Sequence, residues 1–365
     1  MSENVRKISD IEYREGNYVV TDGKKLLNMS SNDYLSISTN RDLLNEFLLE
    51  KSQDKEFLMS SASARLLSGT SSVYKRVEKI LSDMFQKEAA LIFNTGYQCN
   101  LGVISALYKK GDVIFSDKLN HASIIAGMKL SGADFFRYKH LDYEHLESFL
   151  KMHRDKYNKA LIVSESVFSM DGDIADIDKL IELKTKYNAE LMIDEAHAFL
   201  VFGKNLAGLT EGKDVDIITA TFGKALGSEG AFCVSDKNTI ETLINNAGSF
   251  IFSTAIAPSN VLWTEFILNQ KDFLKEKQKK LQKLFKAFGF STQIIPVIIG
   301  ETSVTERVCE QLKSKGYFVL PIRPPTVPNG TSRIRLSLCA DMDYDQIKQL
   351  FNFVEDVKNE VMCAK

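Results

Sequence analysis

Residues 190–234 read ELMIDEAHAFLVFGKNLAGLTEGKDVDIITATFGKALGSEGAFCV. Three short apolar or β-branched runs stand in this stretch: Glu190 to Asp194, Ile217 to Thr221 and Ala231 to Val234. Each has the length and composition of a buried strand and is too short for an amphipathic helix. Upstream the pattern repeats, with candidate strands at Ala90 to Phe93, Val113 to Ser116, Asp134 to Tyr138 and Ala160 to Ser164. Helical-length amphipathic stretches lie between them, at Tyr97 to Tyr108, Ile124 to Ser131, Tyr143 to Tyr157 and Ile177 to Asn188. Such alternation predicts βαβ units and a mainly parallel central sheet, the mark of an α/β protein.

The flanks read differently. A strand pair around the turn Thr21-Asp22-Gly23, the extended segment SSNDYL and a helix from about Arg41 suggest an N-terminal arm over residues 1–45. The large domain is then expected over 46–260. Residues 261–365 are expected to hold most of a long charged helix, from about Pro258 to Phe288, and a small α+β domain with strands near Gln293 to Ile299, Tyr317 to Pro321 and Ser332 to Ser337. Four of the six prolines, Pro321, Pro324, Pro325 and Pro328, crowd one loop there, which is either a shaped binding loop or a rigid surface turn. In the basic run from Lys275 to Phe288, Leu281, Leu284, Phe285 and Phe288 recur at helical spacing, so a solvated helix with an apolar stripe is favoured over a phosphate site.

Composition narrows the function. The 365 residues are 44% hydrophobic and 26% charged, which excludes a disordered chain, and 46 Lys plus Arg against 48 Asp plus Glu leave no basic excess for nucleic acid. The five cysteines, Cys99, Cys233, Cys309, Cys339 and Cys363, are scattered and form no ligand cluster, so neither a disulfide framework nor a metal site is expected. No signal-like apolar region and no run of 18 uncharged apolar residues occurs; the expectation is a cytoplasmic protein with no membrane span.

Candidate chemistry gathers at the ends of the expected strands. Lys224 follows an apolar strand in a turn punctuated by Gly223 and Gly227; it suits Schiff-base chemistry, although by itself it also reads as a surface lysine. Asp194 closes the run LMID, where α/β sheets bind ligands, and His197 follows. An aspartate can hold a pyridine nitrogen protonated and a histidine can bond a phenolic oxygen; a helix cap and a satisfied loop histidine are the plain alternatives. Asn94-Thr95-Gly96-Tyr97 lies between strand and helix, where backbone amides can hold a phosphate, or is simply a turn. His121 either stacks on a cofactor ring or merely starts a helix. The absence of GxGxxG and GxxxxGK[ST] argues against dinucleotide and P-loop readings.

Taken in order, SSNDYL, ARLLSGT, NTGYQCN, SDKLNHAS, ESVFSMDGD, IDEAHAF, TFGKALG, IFSTAIAP and IRPPTVPNGTSRIRLSL resemble the α-oxoamine synthases, fold-type I pyridoxal phosphate enzymes, over nearly the whole chain. The resemblance implies that Lys224 is the Schiff-base lysine, Asp194 the pyridinium partner, His197 the phenolic-oxygen partner and His121 the ring-stacking residue. Gly96, Tyr97, Ser169 and Thr221 match cofactor-contacting positions. Ser253 and Thr254 match a segment that reaches the phosphate from the neighbouring subunit, implying a homodimer with shared active sites. Asn32 and Arg335 match carboxylate-holding positions, Thr326 an acyl-substrate position, and Arg6 an N-terminal substrate position. The run Ile322 to Pro328 resembles the biotin-pathway branch of the family, implying L-alanine and a pimeloyl thioester, carried by coenzyme A or an acyl carrier protein, as substrates. Other members of the family, and a non-catalytic subunit of the same fold, are the rivals; retention of Lys224, Asp194 and His197 speaks against the latter. Two stretches depart from the family's glycines: Ser60-Ser61-Ala62-Ser63-Ala64, and Leu200 after AHAF.

Overall fold

A computed structural model describes residues 8–363; Arg6 lies outside them. All seven expected strands of the central sheet form: β1 (Ala89–Phe93), β2 (Val113–Asp117), β3 (Asp134–Tyr138), β4 (Ala160–Glu165), β5 (Glu190–Asp194), β6 (Ile217–Thr221) and β7 (Ala231–Ser235). Their order is β1-β7-β6-β5-β4-β2-β3. Strand β7 runs antiparallel to both neighbours, and every other pairing is parallel. Strands β2, β4 and β7 are buried at every residue, which is why they read as continuous apolar runs without alternation. One face of the sheet packs Leu91, Ile114, Val163, Met192 and Cys233 against Cys99, Val103 and Ile104 of the helix Gly96–Leu107.

The next helix, Ala122–Ser131, lies against that first one at Gly127. A β-carbon at Gly127 would stand 3.0 Å from both the Asn100 carbonyl oxygen and the Ile104 Cβ, so only a residue without a side chain lets the two helices approach this closely. The start of the second helix, with His121 and Ser123, is thereby brought beside Asn100 on the first.

The division of the chain differs from the expected one. Arg41–Lys279 is one compact unit; the described residues before Arg41 join those from Lys280 onward in the other. The N-terminal segment is not a separate arm, because strand Lys24–Asn28 pairs in parallel with Tyr317–Phe318. Pairing that is distant in sequence leaves no local signal. The hairpin was legible: Tyr18–Thr21 pairs with Lys24–Asn28 across Asp22 and Gly23, both at positive φ. The expected strand from Tyr317 to Pro321 is split, since Pro321–Ile322 joins Ile294–Gly300 and Ser332–Ser337 in a separate antiparallel sheet.

Two expected helices are also shorter. The long one is broken at Gln270 into Pro258–Asn269 and Lys271–Ala287; the polar pair Asn269-Gln270 ends a buried apolar segment, and the Gln270 N–H turns back to the Ile267 carbonyl. The helix from Tyr143 stops at His153 and tightens into a 3-10 turn over Arg154–Lys156. Among the described residues no helix is long and apolar enough to cross a membrane.

Both departures from glycine coincide with left-handed backbone: Ala62 has φ +50° and Leu200 φ +65°. The fold keeps a glycine conformation where the sequence supplies a β-carbon, at a cost of roughly 1–2 kcal/mol each. Ala62 is exposed, so Ala62→Gly should stabilise the protein by about 1 kcal/mol in chemical denaturation. Leu200 is fully buried, and Leu200→Gly should be net destabilising, because the lost burial, about 1.5–3 kcal/mol, exceeds the relief.

Candidate active site

The register of the sheet builds the site. Glu165, Asp194, Thr219 and Cys233 are successive partners across β4, β5, β6 and β7, so their side chains form one row on one face near the carboxyl ends of the parallel strands. Asn100 of the helix Gly96–Leu107 lies over that row, 3% exposed. Thr219 Oγ1 donates to Asn100 Oδ1 at 2.8 Å, which fixes the orientation of the amide. Asn100 Nδ2 then donates to Asp194 Oδ2 at 2.7 Å and to Ser123 Oγ at 3.0 Å. Asp194 Oδ1 accepts the Ala196 N–H at 2.9 Å. A buried carboxylate is thus held as an acceptor by two aligned donors.

His121 and Lys224 close the pocket. His121 caps the helix Ala122–Ser131, its Nδ1 accepting the Ser123 N–H and lying 2.7 Å from Ser123 Oγ. The plain helix-start reading is therefore true, and it also turns the ring toward the pocket, where Tyr97 meets it edge-on at 6.4 Å. Burial, reinforced by the nearby Lys224 charge and opposed by Asp194, pushes the His121 imidazole below its ordinary pKa. Lys224 stands in the turn after β6, closed by Gly227 N–H to the Lys224 carbonyl at 3.0 Å. Its Nζ lies 2.9 Å from Nε2 of the buried His197.

Gly96, Tyr97 and Thr221 line the same pocket. A β-carbon on Gly96 would sit 3.6 Å from the Thr221 Cβ, and the helix starts there behind Thr95, whose side chain accepts the Gln98 N–H. These residues fit pyridoxal phosphate: a helix start with free space for the phosphate, a fixed carboxylate for a ring nitrogen, and an amine beside a histidine for the aldehyde and its neighbouring hydroxyl.

The remaining expected residues are not among those lining this pocket. Ser169 belongs to the tight turn Phe168–Asp173 and is not among the residues lining the pocket. Ser253 Oγ accepts from Gln98 Nε2 at 3.4 Å, and the Thr254 carbonyl accepts from Asn94 Nδ2 at 2.6 Å, so both lie against the start of the same helix. In the other unit the two residues assigned to a carboxylate meet: Arg335 Nη2 donates to Asn32 Oδ1 at 3.2 Å and to the Tyr34 hydroxyl at 3.0 Å, while Nη1 donates to Ser337 Oγ at 2.7 Å. Thr326 is exposed, its N–H bonded to the Arg323 carbonyl. Sequence reasoning missed Asn100, Ser123, Thr219 and Glu165. Glu165 carried the signal used for Asp194, a carboxylate closing an apolar run; Asn100 stands four residues after Gly96, on the same helix face.

The sequence profile of the aminotransferase class I and II family matches residues 24–354. The chain belongs to that family. Within it, the chain is an α-oxoamine synthase, and its cofactor is pyridoxal phosphate. It is 44% identical, over 94% of both sequences, to a Haemophilus influenzae (strain 86-028NP) protein named "Putative 8-amino-7-oxononanoate synthase", and 42% identical to a protein of that name from Neisseria meningitidis, also over 94% of both. Among solved structures it resembles a serine palmitoyltransferase from S. paucimobilis carrying a pyridoxal phosphate–myriocin adduct, with a TM-score of 0.88 and 27% identity over 97% of this chain and 93% of that one. It also resembles the 8-amino-7-oxononanoate synthase of Francisella tularensis, with a TM-score of 0.75 and 25% identity over 92% of this chain and 98% of that one.

Asn100→Leu keeps the branched heavy-atom skeleton but strips Asp194 and Ser123 of a shared donor. Pyridoxal phosphate should then bind roughly ten- to a hundredfold more weakly, the scale of a hydrogen bond to a buried charge, as read by absorbance titration.

Proposed function

We propose that this α-oxoamine synthase condenses L-alanine with a pimeloyl thioester, on coenzyme A or an acyl carrier protein, to give 8-amino-7-oxononanoate, CO2 and the free thiol, a step of biotin biosynthesis. The reaction class rests on the placement of Lys224 beside His197 and in one pocket with the Asn100-bonded Asp194. The choice of substrates rests on identity of 42–44% to relatives bearing that name, against 27% for the serine palmitoyltransferase.

When bound, pyridoxal phosphate supplies an electron sink for the α-carbon of the amino acid. The chain does the rest. Asp194 keeps the cofactor's ring nitrogen protonated, and His197 holds its phenolic oxygen. Lys224, half-buried, is the base that takes the α-proton and returns it after decarboxylation. His121, held neutral by burial, covers the ring and can donate from Nε2 to the acyl carbonyl, because Nδ1 is occupied as an acceptor. Arg335 and Asn32 hold the alanine carboxylate, and Thr326 contacts the acyl chain.

One observation favours a second reading: the overlay on the serine palmitoyltransferase, at TM-score 0.88, exceeds that on the F. tularensis enzyme at 0.75. Turnover across pimeloyl, acetyl and palmitoyl thioesters, with alanine, glycine and serine as donors, separates the two. Pimeloyl thioester with alanine should exceed the other pairs by at least about tenfold in kcat/KM, the scale of one polar contact or a few buried methylenes. Preference for serine with the palmitoyl thioester would overturn the substrate choice and leave the reaction class standing.

We also propose a cytoplasmic homodimer in which Ser253 and Thr254 complete the partner's site. In support, Phe252, Leu67 and Met59 are 87%, 81% and 78% exposed, on two segments joined through the Ala64–Thr254 bridge. An apolar patch of this kind calls for a covering surface. Mixing Lys224→Ala chains with Thr254→Asp chains, each inactive alone, should restore activity through hybrid dimers with one intact site. Absence of recovery after verified exchange of chains would exclude sharing.

A further inference from the structure

The pocket contains a second carboxyl group that none of the roles above uses. Glu165 ends β4 directly in register with Asp194 on β5, so the two side chains are neighbours on the same face of the sheet, with backbones about 5 Å apart. Glu165 is 3% exposed and lines the pocket. Its environment is unlike that of its neighbour. Asp194 receives Asn100 and the Ala196 N–H, whereas the buried Glu165 Oε1 has no hydrogen-bond partner.

We propose that Glu165 sets the charge of this site: it is a neutral carboxylic acid that keeps the pocket floor at a single negative charge, that of Asp194. The proposal rests on the pyridoxal phosphate reading of the pocket.

The electrostatics follow from the geometry. Two buried carboxyls in adjacent register cannot both ionise cheaply, and the charge settles on the one with more donors. The groups facing Glu165 are Asp194 from β5, Lys224 from the turn after β6, Asp117 at the end of β2 and the His121 backbone just beyond it. Burial dominates, Asp194 and Asp117 add to it, and Lys224 with the His121 N–H oppose it; the Glu165 carboxyl is pushed up to about 8. Below that value it carries a proton and no charge. Above it, a second negative charge appears beside Asp194.

The test uses the full chain loaded with pyridoxal 5′-phosphate, as wild type, Glu165→Gln and Glu165→Leu. Absorbance of the bound cofactor is followed from about pH 6.5 to about pH 9.5, and the cofactor dissociation constant is measured near pH 7. Wild type should show a spectral titration near pH 8 that is missing from the glutamine variant, whose amide is neutral throughout. Cofactor affinity should fall by less than about threefold for glutamine and by at least about tenfold for leucine, which puts an apolar side chain beside Asp194 in the pocket floor. In the leucine variant kcat should fall with little change in KM for the amino acid, as expected when the pocket floor is altered and the carboxylate-holding residues are not.

Persistence of the titration in Glu165→Gln would assign it to another group and overturn the proposal. So would equal affinity losses in the two variants, or a leucine variant indistinguishable from wild type. If the leucine variant fails to fold, the glutamine variant decides the matter through its titration. A wild-type chain that binds no pyridoxal 5′-phosphate would instead overturn the functional reading on which the proposal stands.

Discussion

One buried amide ties the site together. Asn100 takes a hydrogen bond from the sheet at Thr219 and gives one back to the sheet at Asp194 and one to the next helix at Ser123. Three elements meet there, and each brings a group that needs a partner once water is excluded. The close helix approach at Gly127 makes the meeting possible, and the strand register sets what it meets: a row that is apolar at its β1 end, with Leu91 and Cys233, and acidic at its β4 end. His121, bonded through Ser123, is the far end of the same network.

This arrangement explains how much of the molecule was legible in the sequence. Strands buried on both faces announce themselves as apolar runs, as β2, β4 and β7 do. Asp194 and Lys224 were legible because a charged residue at the end of such a run has few other reasons to be there. Glu165 satisfies the same rule, but the resemblance carried by ESVFSMDGD points to its serine, Ser169, and not to its glutamate. Asn100 was opaque for a different reason. An asparagine inside a helix carries no local mark of what it faces, and its importance exists only after register has brought β5 and β6 beneath it. The pairing of Lys24–Asn28 with Tyr317–Phe318 was opaque in the same way, because nothing near either segment specifies the other. The break at Gln270 was lost to a hydrophobic period that continues through it.

In the second unit, the same principle of polar groups fixing one another holds on a smaller scale. The Arg335 guanidinium, 7% exposed, is aimed by Ser337, Asn32 and Tyr34, three neutral oxygens from two distant parts of the chain. Such acceptors orient the guanidinium, whose planar fork matches a carboxylate. Tyr34 was visible in SSNDYL only as part of a resemblance; its hydroxyl, buried on Arg335, gives that segment a physical reason for its aromatic residue, and burial pushes the phenol above its ordinary pKa.

The exposed apolar residues around Phe252 and Leu67 bear on how this protein is to be handled and compared. If that face is covered by a second copy, the free energy of folding contains an association step, and the midpoint of thermal unfolding rises with protein concentration. Values of Tm taken at different concentrations are then not comparable, and a variant altered at Met59 or Leu67 shifts the concentration dependence before it touches any group in the pocket. The residues lining the pocket all come from the one unit, between Gly96 and Lys224, so dilution removes stability while leaving the hydrogen-bond network around Asn100 without a missing member.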